Sequence, residues 1–173
     1  IRVKLLRRLR LDVFRDHVVD ADADASALVV GEPAAPDDYP RLDGARHEAS
    51  TVHACLIGPN ALDPGKVTLL IGSDSSKPGP SAEQVINTLF EKPWRIVHIA
   101  GHGAQGAPGK PGGVVLSNGT FLGPDEIRSM RVVPELVFVN CCHLGRGDET
   151  QLLNTRYDRV RFASRVAGAL IEI

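Results

Sequence analysis

The chain has 173 residues, 43% of them hydrophobic and 24% charged, a composition typical of one folded domain. The formal net charge of −1, from 20 Lys and Arg against 21 Asp and Glu, argues against a dedicated nucleic-acid binder. No apolar run approaches the ~20 residues of a membrane helix, and the charged N-terminus lacks the apolar core of a signal peptide. We therefore expect a cytoplasmic protein that contacts neither nucleic acid nor membrane directly.

Residues 1–26 are predicted to form a basic strand and an acidic loop that lead into the main domain at residues 27–173. Apolar and charged residues alternate over 9–13, which slightly favours a strand over a helix. The chain begins with Ile1 and stops at Ile173 within an apolar pattern of helical spacing. We expect it to be a piece of something larger, with C-terminal strands missing.

Short apolar runs predict strands that are buried on both faces, as in a parallel sheet. These runs are residues 27–31, 67–72, 96–101 and 136–140. Between the third and fourth runs, Asn118-Gly119 is a strong hairpin signal and predicts a small ribbon over residues 113–122.

Helical patterns alternate with these strands. They cover residues 45–56, 81–90, 124–131 and 157–173. Ser81 and Gln84 have the spacing of a capping box, and Pro124 suits the first position of a helix. Alternation of strands and helices indicates an α/β fold with crossover helices.

Chemically active residues follow the third and fourth predicted strands. Gly101-His102-Gly103 comes after one strand, and Cys141-Cys142-His143 comes after the other. Parallel strands bring their carboxyl ends to one edge of a sheet, where ligands bind. If these two strands are neighbours, about 4.8 Å apart, His102 and Cys142 reach one reaction centre. An imidazole can take a thiol proton and then protonate a leaving amine, so the pair predicts nucleophilic catalysis.

Residues around this pair are candidates for supporting roles. The N–H of Gly103, unobstructed by a side chain, is suited to stabilise an oxyanion. His98, four residues before His102, is expected either to support the strand beneath the site or to orient His102, and Asn140 is a second candidate support. Alternation along a strand sends Cys141 and Cys142 to opposite faces, so one thiol should be buried and inert. With an odd cysteine count and no disulfide framework, Cys55 is expected to be a core thiol.

Two cofactor sites are conceivable from the same residues. Residues 101–106 match G-x-G-x-x-G after a strand, but the Gly- and Pro-rich segment 107–113 excludes the helix that a dinucleotide site requires. His98, His102, Cys141, Cys142 and His143 are zinc-ligand types, but strand alternation scatters them over both faces. We therefore expect no metal and no cofactor.

Residues 97–103, 113–122 and 136–145 resemble the CHAT domains, which belong to the caspase, separase and gingipain clan of cysteine peptidases. Residues 29–33 and 45–56 are similar to that family as well, so the likeness extends over roughly residues 27–173. The resemblance implies a caspase-like three-layer sandwich with a mostly parallel central sheet and a small β-hairpin insertion. It also implies a catalytic Cys142–His102 dyad and an oxyanion site made by Gly103 and the backbone of Cys142.

The function that the resemblance implies is that of a cysteine endopeptidase acting on a protein or peptide substrate. It implies a regulated module with further domains or a regulatory partner, and a second chain or segment that supplies the missing strands. The alternative is a caspase-like scaffold that binds or signals without turnover. Asp74 and Asp148 are candidates for a substrate pocket that selects a basic residue.

Overall fold

A computed structural model of the chain describes residues 26–72, 78–104, 112–123 and 134–143, together with positions 126 and 129. The strand predicted near the N-terminus and the helix predicted at 157–173 lie outside the described residues, as do Asp74 and Asp148. The helix predicted at 124–131 is described only at positions 126 and 129. Across the described ranges, no helix has the length and apolar character needed to cross a membrane.

The described residues form one six-stranded sheet with two α-helices. The strands are β1 (Ala27–Gly31), β2 (Val67–Leu70), β3 (Ile96–Ala104), β4 (Gly113–Val115), β5 (Phe121–Leu122) and β6 (Leu136–His143). The helices are α1 (Asp43–Leu56) and α2 (Ala82–Glu91).

Strand β3 is the centre of the sheet. It pairs in parallel with β1 through its first five residues, and β1 pairs in parallel with β2. Further along the same edge, Gly103 and Ala104 pair with antiparallel β4, which continues into β5. The other edge of β3 pairs in parallel with β6. The prediction of an α/β fold with a mostly parallel sheet and a hairpin insertion is therefore confirmed.

Each face of the sheet packs against one helix, which explains why every residue of β1 is buried. On one face, Leu28 and Val30 belong to a cluster with Val85 and Leu89 of α2. On the other face, Ala27 and Val29 pack with Ala49 of α1. Gly31 lets α1 approach closely, because a Cβ at this position would lie 2.4 Å from the Cβ of Ala49.

Local signals in the sequence act as predicted at two positions. The Ser81 hydroxyl accepts from the backbone N–H of Gln84 at 3.2 Å, and the Gln84 side chain accepts from the N–H of Ser81 at 2.8 Å. This capping box starts α2. Asn118 and Gly119 both have positive φ, 58° and 68°, as a tight turn between β4 and β5 requires.

Four sequence predictions need correction. The strands predicted at 96–101 and 136–140 continue to Ala104 and His143, because β3 and β6 stay paired for eight consecutive residues and Ala104 pairs with Gly113 of β4. The strand predicted at 67–72 ends earlier, at Leu70. Cys55 is exposed rather than in the core. It precedes Leu56, which packs against the sheet, and one helical step turns a side chain by about 100°.

Candidate functional site

The pairing of β3 with β6 brings the two candidate catalytic positions together. His98, Ala100 and His102 follow one another along one face of β3. Their register partners on β6 are Phe138, Asn140 and Cys142. His102 and Cys142 are therefore partners in neighbouring strands, whose spacing is about 4.8 Å. The sequence prediction required these two strands to be neighbours, and the pairing of β3 with β6 shows that they are.

The His102 ring is 4% exposed, and its hydrogen bonding assigns its tautomer. Its Nε2 lies 2.6 Å from the carbonyl oxygen of Pro40. A carbonyl oxygen only accepts, so Nε2 must carry the hydrogen, and in the neutral ring Nδ1 is the acceptor. Nδ1 is buried and has no hydrogen-bond partner among the described residues. The ring of Tyr39 packs edge-on against His102, with centroids 5.0 Å apart.

The loop that carries Pro40 connects β1 to α1 and is held by Glu32. The Glu32 carboxylate binds the Arg41 guanidinium through Nε at 2.9 Å and Nη2 at 3.3 Å, and accepts from the N–H of Leu42 at 2.9 Å. The N–H of Glu32 donates to Ala100 on β3 at 2.9 Å. One buried acidic residue thus ties the far end of the loop to the strand that bears His102.

A cavity of about 400 Å³ lies beside His102, within the usual size range of ligand pockets. Its walls come from the loop of residues 32–41 and from Pro78 and Gly79. Gly79 packs directly on the loop, because a Cβ there would lie only 1.7 Å from the carbonyl oxygen of Glu32. Two separate chain segments therefore enclose the cavity at the carboxyl end of β3, where His102 lies.

A polar cluster lies on the same face of the sheet, before His102 in the strand. His98 is 5% exposed and stacks on Phe138, with ring centroids 5.2 Å apart and planes 6° from parallel. Its Nε2 lies 3.1 Å from Oε1 of Glu48, a residue of α1. Burial lowers the pKa of His98 below its ordinary value, and the nearby Glu48 carboxylate opposes this shift without cancelling it.

Asn140 joins this cluster from β6. Its Nδ2 donates to Oε2 of Glu48 at 2.6 Å, so the carboxylate contacts both strands. His98 and Asn140 were predicted to support the site. On this face of the sheet, Asn140 belongs to the register pair next to that of His102 and Cys142, and His98 belongs to the pair before that one. Glu48 was missed, although its place between Ala45 and Val52 puts an acidic residue in the apolar stripe of α1.

The remaining predicted residues lie inside the sheet. Cys141 is half-buried and packs against the cluster on the α2 side. Gly103 is buried and has register partners on both edges, Val114 on β4 and His143 on β6. Among the described side chains, no three of His, Cys, Asp or Glu converge as ligands for a metal ion.

The amino-acid sequence predicted the pair of His102 and Cys142, which are register partners, but it did not point to Pro40 or Glu32. No local signal identifies Pro40, because its contribution is a backbone carbonyl 62 positions from the ring it contacts. Glu32 has a signal in retrospect: it is an acidic residue directly after a buried strand, with an arginine nine positions later.

Comparison with known protein families identifies the family of the chain. The family model of the CHAT domain matches residues 3–169, nearly the whole chain. The chain belongs to the CHAT domain family. CHAT domains are related to the caspase-like cysteine peptidases. A comparison with curated proteins gave no match.

Proposed function

We propose that this CHAT domain is a cysteine endopeptidase in which Cys142 is the nucleophile and His102 the general acid and base. One observation carries the proposal: the buried Nδ1 of His102 has no hydrogen-bond partner among the described residues, and Cys142 is the register partner of His102. Because alternate residues of a strand share a face, positions 138, 140 and 142 of β6 lie on the same face of the sheet as His98 and His102 of β3.

The proposed reaction begins with transfer of the thiol proton from Cys142 to Nδ1 of His102. The Pro40 carbonyl accepts from Nε2–H, which orients the ring and leaves Nδ1 as the nitrogen that faces the reaction. The thiolate attacks the peptide carbonyl carbon, and collapse of the tetrahedral intermediate breaks the C–N bond while Nδ1–H protonates the leaving amine. Water then attacks the thioester, gives a proton to Nδ1, and releases the carboxylic acid and Cys142.

The oxyanion of the intermediate is proposed to bind the N–H groups of Gly103 and Cys142. Gly103 follows His102 directly and carries no side chain. One donor of this kind contributes on the order of 10²–10³ to the rate.

The cavity beside His102 is proposed to bind part of the protein or peptide substrate. Its walls include the ring of Tyr39 and the paired charges of Glu32 and Arg41, so it offers apolar contact as well as polar groups. Asp74 and Asp148 remain proposed contributors to the recognition of a basic substrate residue.

Regulation by further domains or a partner, and completion of the sheet by a second chain or segment, are also proposed. Leu136 and Phe138 on β6 are 56% and 53% exposed, and no described strand pairs with the outer edge of β6. An additional strand would pair with this edge of β6, and an element packed on the face that carries Leu136 and Phe138 would cover both side chains.

A peptide-library assay with the wild-type chain and the His102→Ala and Cys142→Ala variants tests the proposal. We expect cleavage by the wild type and its loss in both variants. Mass mapping after iodoacetamide treatment should show Cys142 as the fastest-reacting thiol. Preferential labelling of Cys141, or cleavage that is unchanged in Cys142→Ala, contradicts the proposal. No cleavage by the wild type, with equal reactivity of all thiols, supports a scaffold that binds without turnover.

A further inference from the structure

Glu48 occupies an unusual position, because its two carboxylate oxygens contact two neighbouring strands of the sheet. Oε1 lies 3.1 Å from Nε2 of His98 on β3, an electrostatic contact that does not have hydrogen-bond geometry, and Oε2 accepts a hydrogen bond from Nδ2 of Asn140 on β6 at 2.6 Å. The two strand residues are not register partners: His98 pairs with Phe138, and Asn140 with Ala100. The carboxylate therefore links the strands diagonally, from one register pair to the neighbouring pair on the same face.

Such a diagonal link distinguishes between alternative registers of β3 and β6. The apolar pattern of β6 discriminates weakly, because a slip of two residues keeps every side chain on its original face. A slip of this size moves β6 by about 6.6 Å relative to β3. It also carries Asn140 out of reach of Glu48. An apolar side chain of β6, by contrast, would make a similar apolar contact after the slip.

The next register pair along this face is that of His102 and Cys142. A two-residue slip would exchange Cys142 for Asn140 or for residue 144 as the partner of His102. The register therefore decides whether a thiol can reach Nδ1 of His102, which has no hydrogen-bond partner among the described residues. The contacts of Glu48 lie close enough to this pair to control the register.

We propose that Glu48 is a positioning residue that ties Asn140 to His98 and so holds Cys142 beside His102. The inference rests on the proposed function, because it assigns a purpose to the register in terms of the Cys142–His102 pair. Glu48 itself does not touch the reacting atoms. Its contribution is specificity of pairing, because only this register lets the carboxylate contact both strands.

The experiment measures the rate of iodoacetamide alkylation at Cys142 relative to exposed Cys55 in the same full chain, by mass mapping. A thiol activated by His102 should react about 10-fold faster than an ordinary one. Glu48→Leu removes both contacts and should bring the ratio close to that of His102→Ala. Glu48→Gln keeps the shape and hydrogen-bonding capacity of the side chain, because the Asn140 amide can rotate to match, and should retain most of the wild-type ratio.

Two further variants separate positioning from general destabilisation. Ile86→Val removes packing from α2 on the opposite face and should leave the ratio unchanged. Asn140→Ala removes only the β6 half of the link and should lower the ratio even if Glu48→Leu does not fold. A Glu48→Leu or Asn140→Ala chain that folds and keeps the wild-type ratio, while His102→Ala loses it, overturns the role of Glu48. A wild-type ratio near one that His102→Ala leaves unchanged overturns the proposed dyad instead.

Discussion

The two faces of the sheet are built from the same strands but differ in chemistry. On the α2 side, the buried cluster is apolar and includes Leu28, Leu89 and the fully buried Trp94. On the α1 side, the part of the sheet formed by β3 and β6 carries buried His98 and His102. Alternation along β3 separates Val97 and Ile99 from these histidines, so one face can supply stability while the other holds polar groups in position. Substitutions on the two faces should therefore have different consequences.

The largest effect is expected on the polar face. His102→Ala removes the proposed acid and base and should lower kcat by about 10²–10⁴ in a peptide-cleavage assay. The matched control is His47→Ala, because His47 is an exposed histidine of α1, and its kcat should stay close to wild type. Equal activity of the two variants would contradict the assignment of His102.

On the apolar face, the main consequence should be loss of stability. Leu89 is 3% exposed, and Leu89→Ala should lower the free energy of unfolding by about 2–5 kcal/mol, measured by urea unfolding. The neighbouring Phe90 is 42% exposed, so Phe90→Ala is the control and should change stability far less. If Leu89→Ala stays folded, its Cys142 alkylation ratio should remain that of the wild type. A changed ratio would show that the two faces are coupled.

An intermediate effect is expected at Glu32, which connects the cavity loop to the sheet. Glu32→Ala removes the acceptor of the Leu42 N–H and one ion-pair partner of Arg41, and should cost about 1–3 kcal/mol of stability. Because the loop also positions the Pro40 carbonyl, kcat should fall as well. Asp37→Ala is the control for stability in the same loop, since Asp37 is exposed. A variant that loses stability but keeps kcat would show that Pro40 is held by other contacts.

The smallest effect concerns pH and tests the burial of His98. The pKa of His98 is lowered in the folded chain from the ordinary value of 6.5, so the unfolded chain takes up this proton first on acidification. Stability should be constant above pH 6.5 and fall as the pH decreases below it, as measured by urea midpoints between about pH 7.5 and 5.5.

His98→Gln should flatten that decline, whereas the exposed control His47→Gln should preserve it. A wild-type chain that gains stability on acidification in this range would mean that the Glu48 carboxylate outweighs burial at His98.

The sequence predicted element types well and element ends less well. Apolar runs and helical spacing identified the helices and most strands, because these patterns depend on neighbours a few positions away. The extra residues of β3 and β6 were missed, since Gly103 and Cys142 have no strong strand preference and are held in the sheet by pairing with each other's strand. Cys55 was assigned to the core because its residue type is often buried, although its place on α1 turns it outward.

The candidate site was predictable only in part. His102 and Cys142 were identifiable because the carboxyl ends of parallel strands collect functional groups. Glu48 and Pro40 were not identifiable, since one contributes a side chain from a helix and the other a backbone carbonyl from a loop. Neither role has a pattern in its own stretch of sequence.

The amino-acid sequence by itself determined the α/β class, the capping box of α2 and the hairpin turn at Asn118-Gly119. Each of these depends on periodicity or on hydrogen bonds between residues close in the chain. Only the tertiary structure decided the register of β3 with β6, the tautomer of His102 and the link made by Glu48. Those features join residues up to 92 positions apart, so they arise from packing of the whole sheet rather than from any local preference.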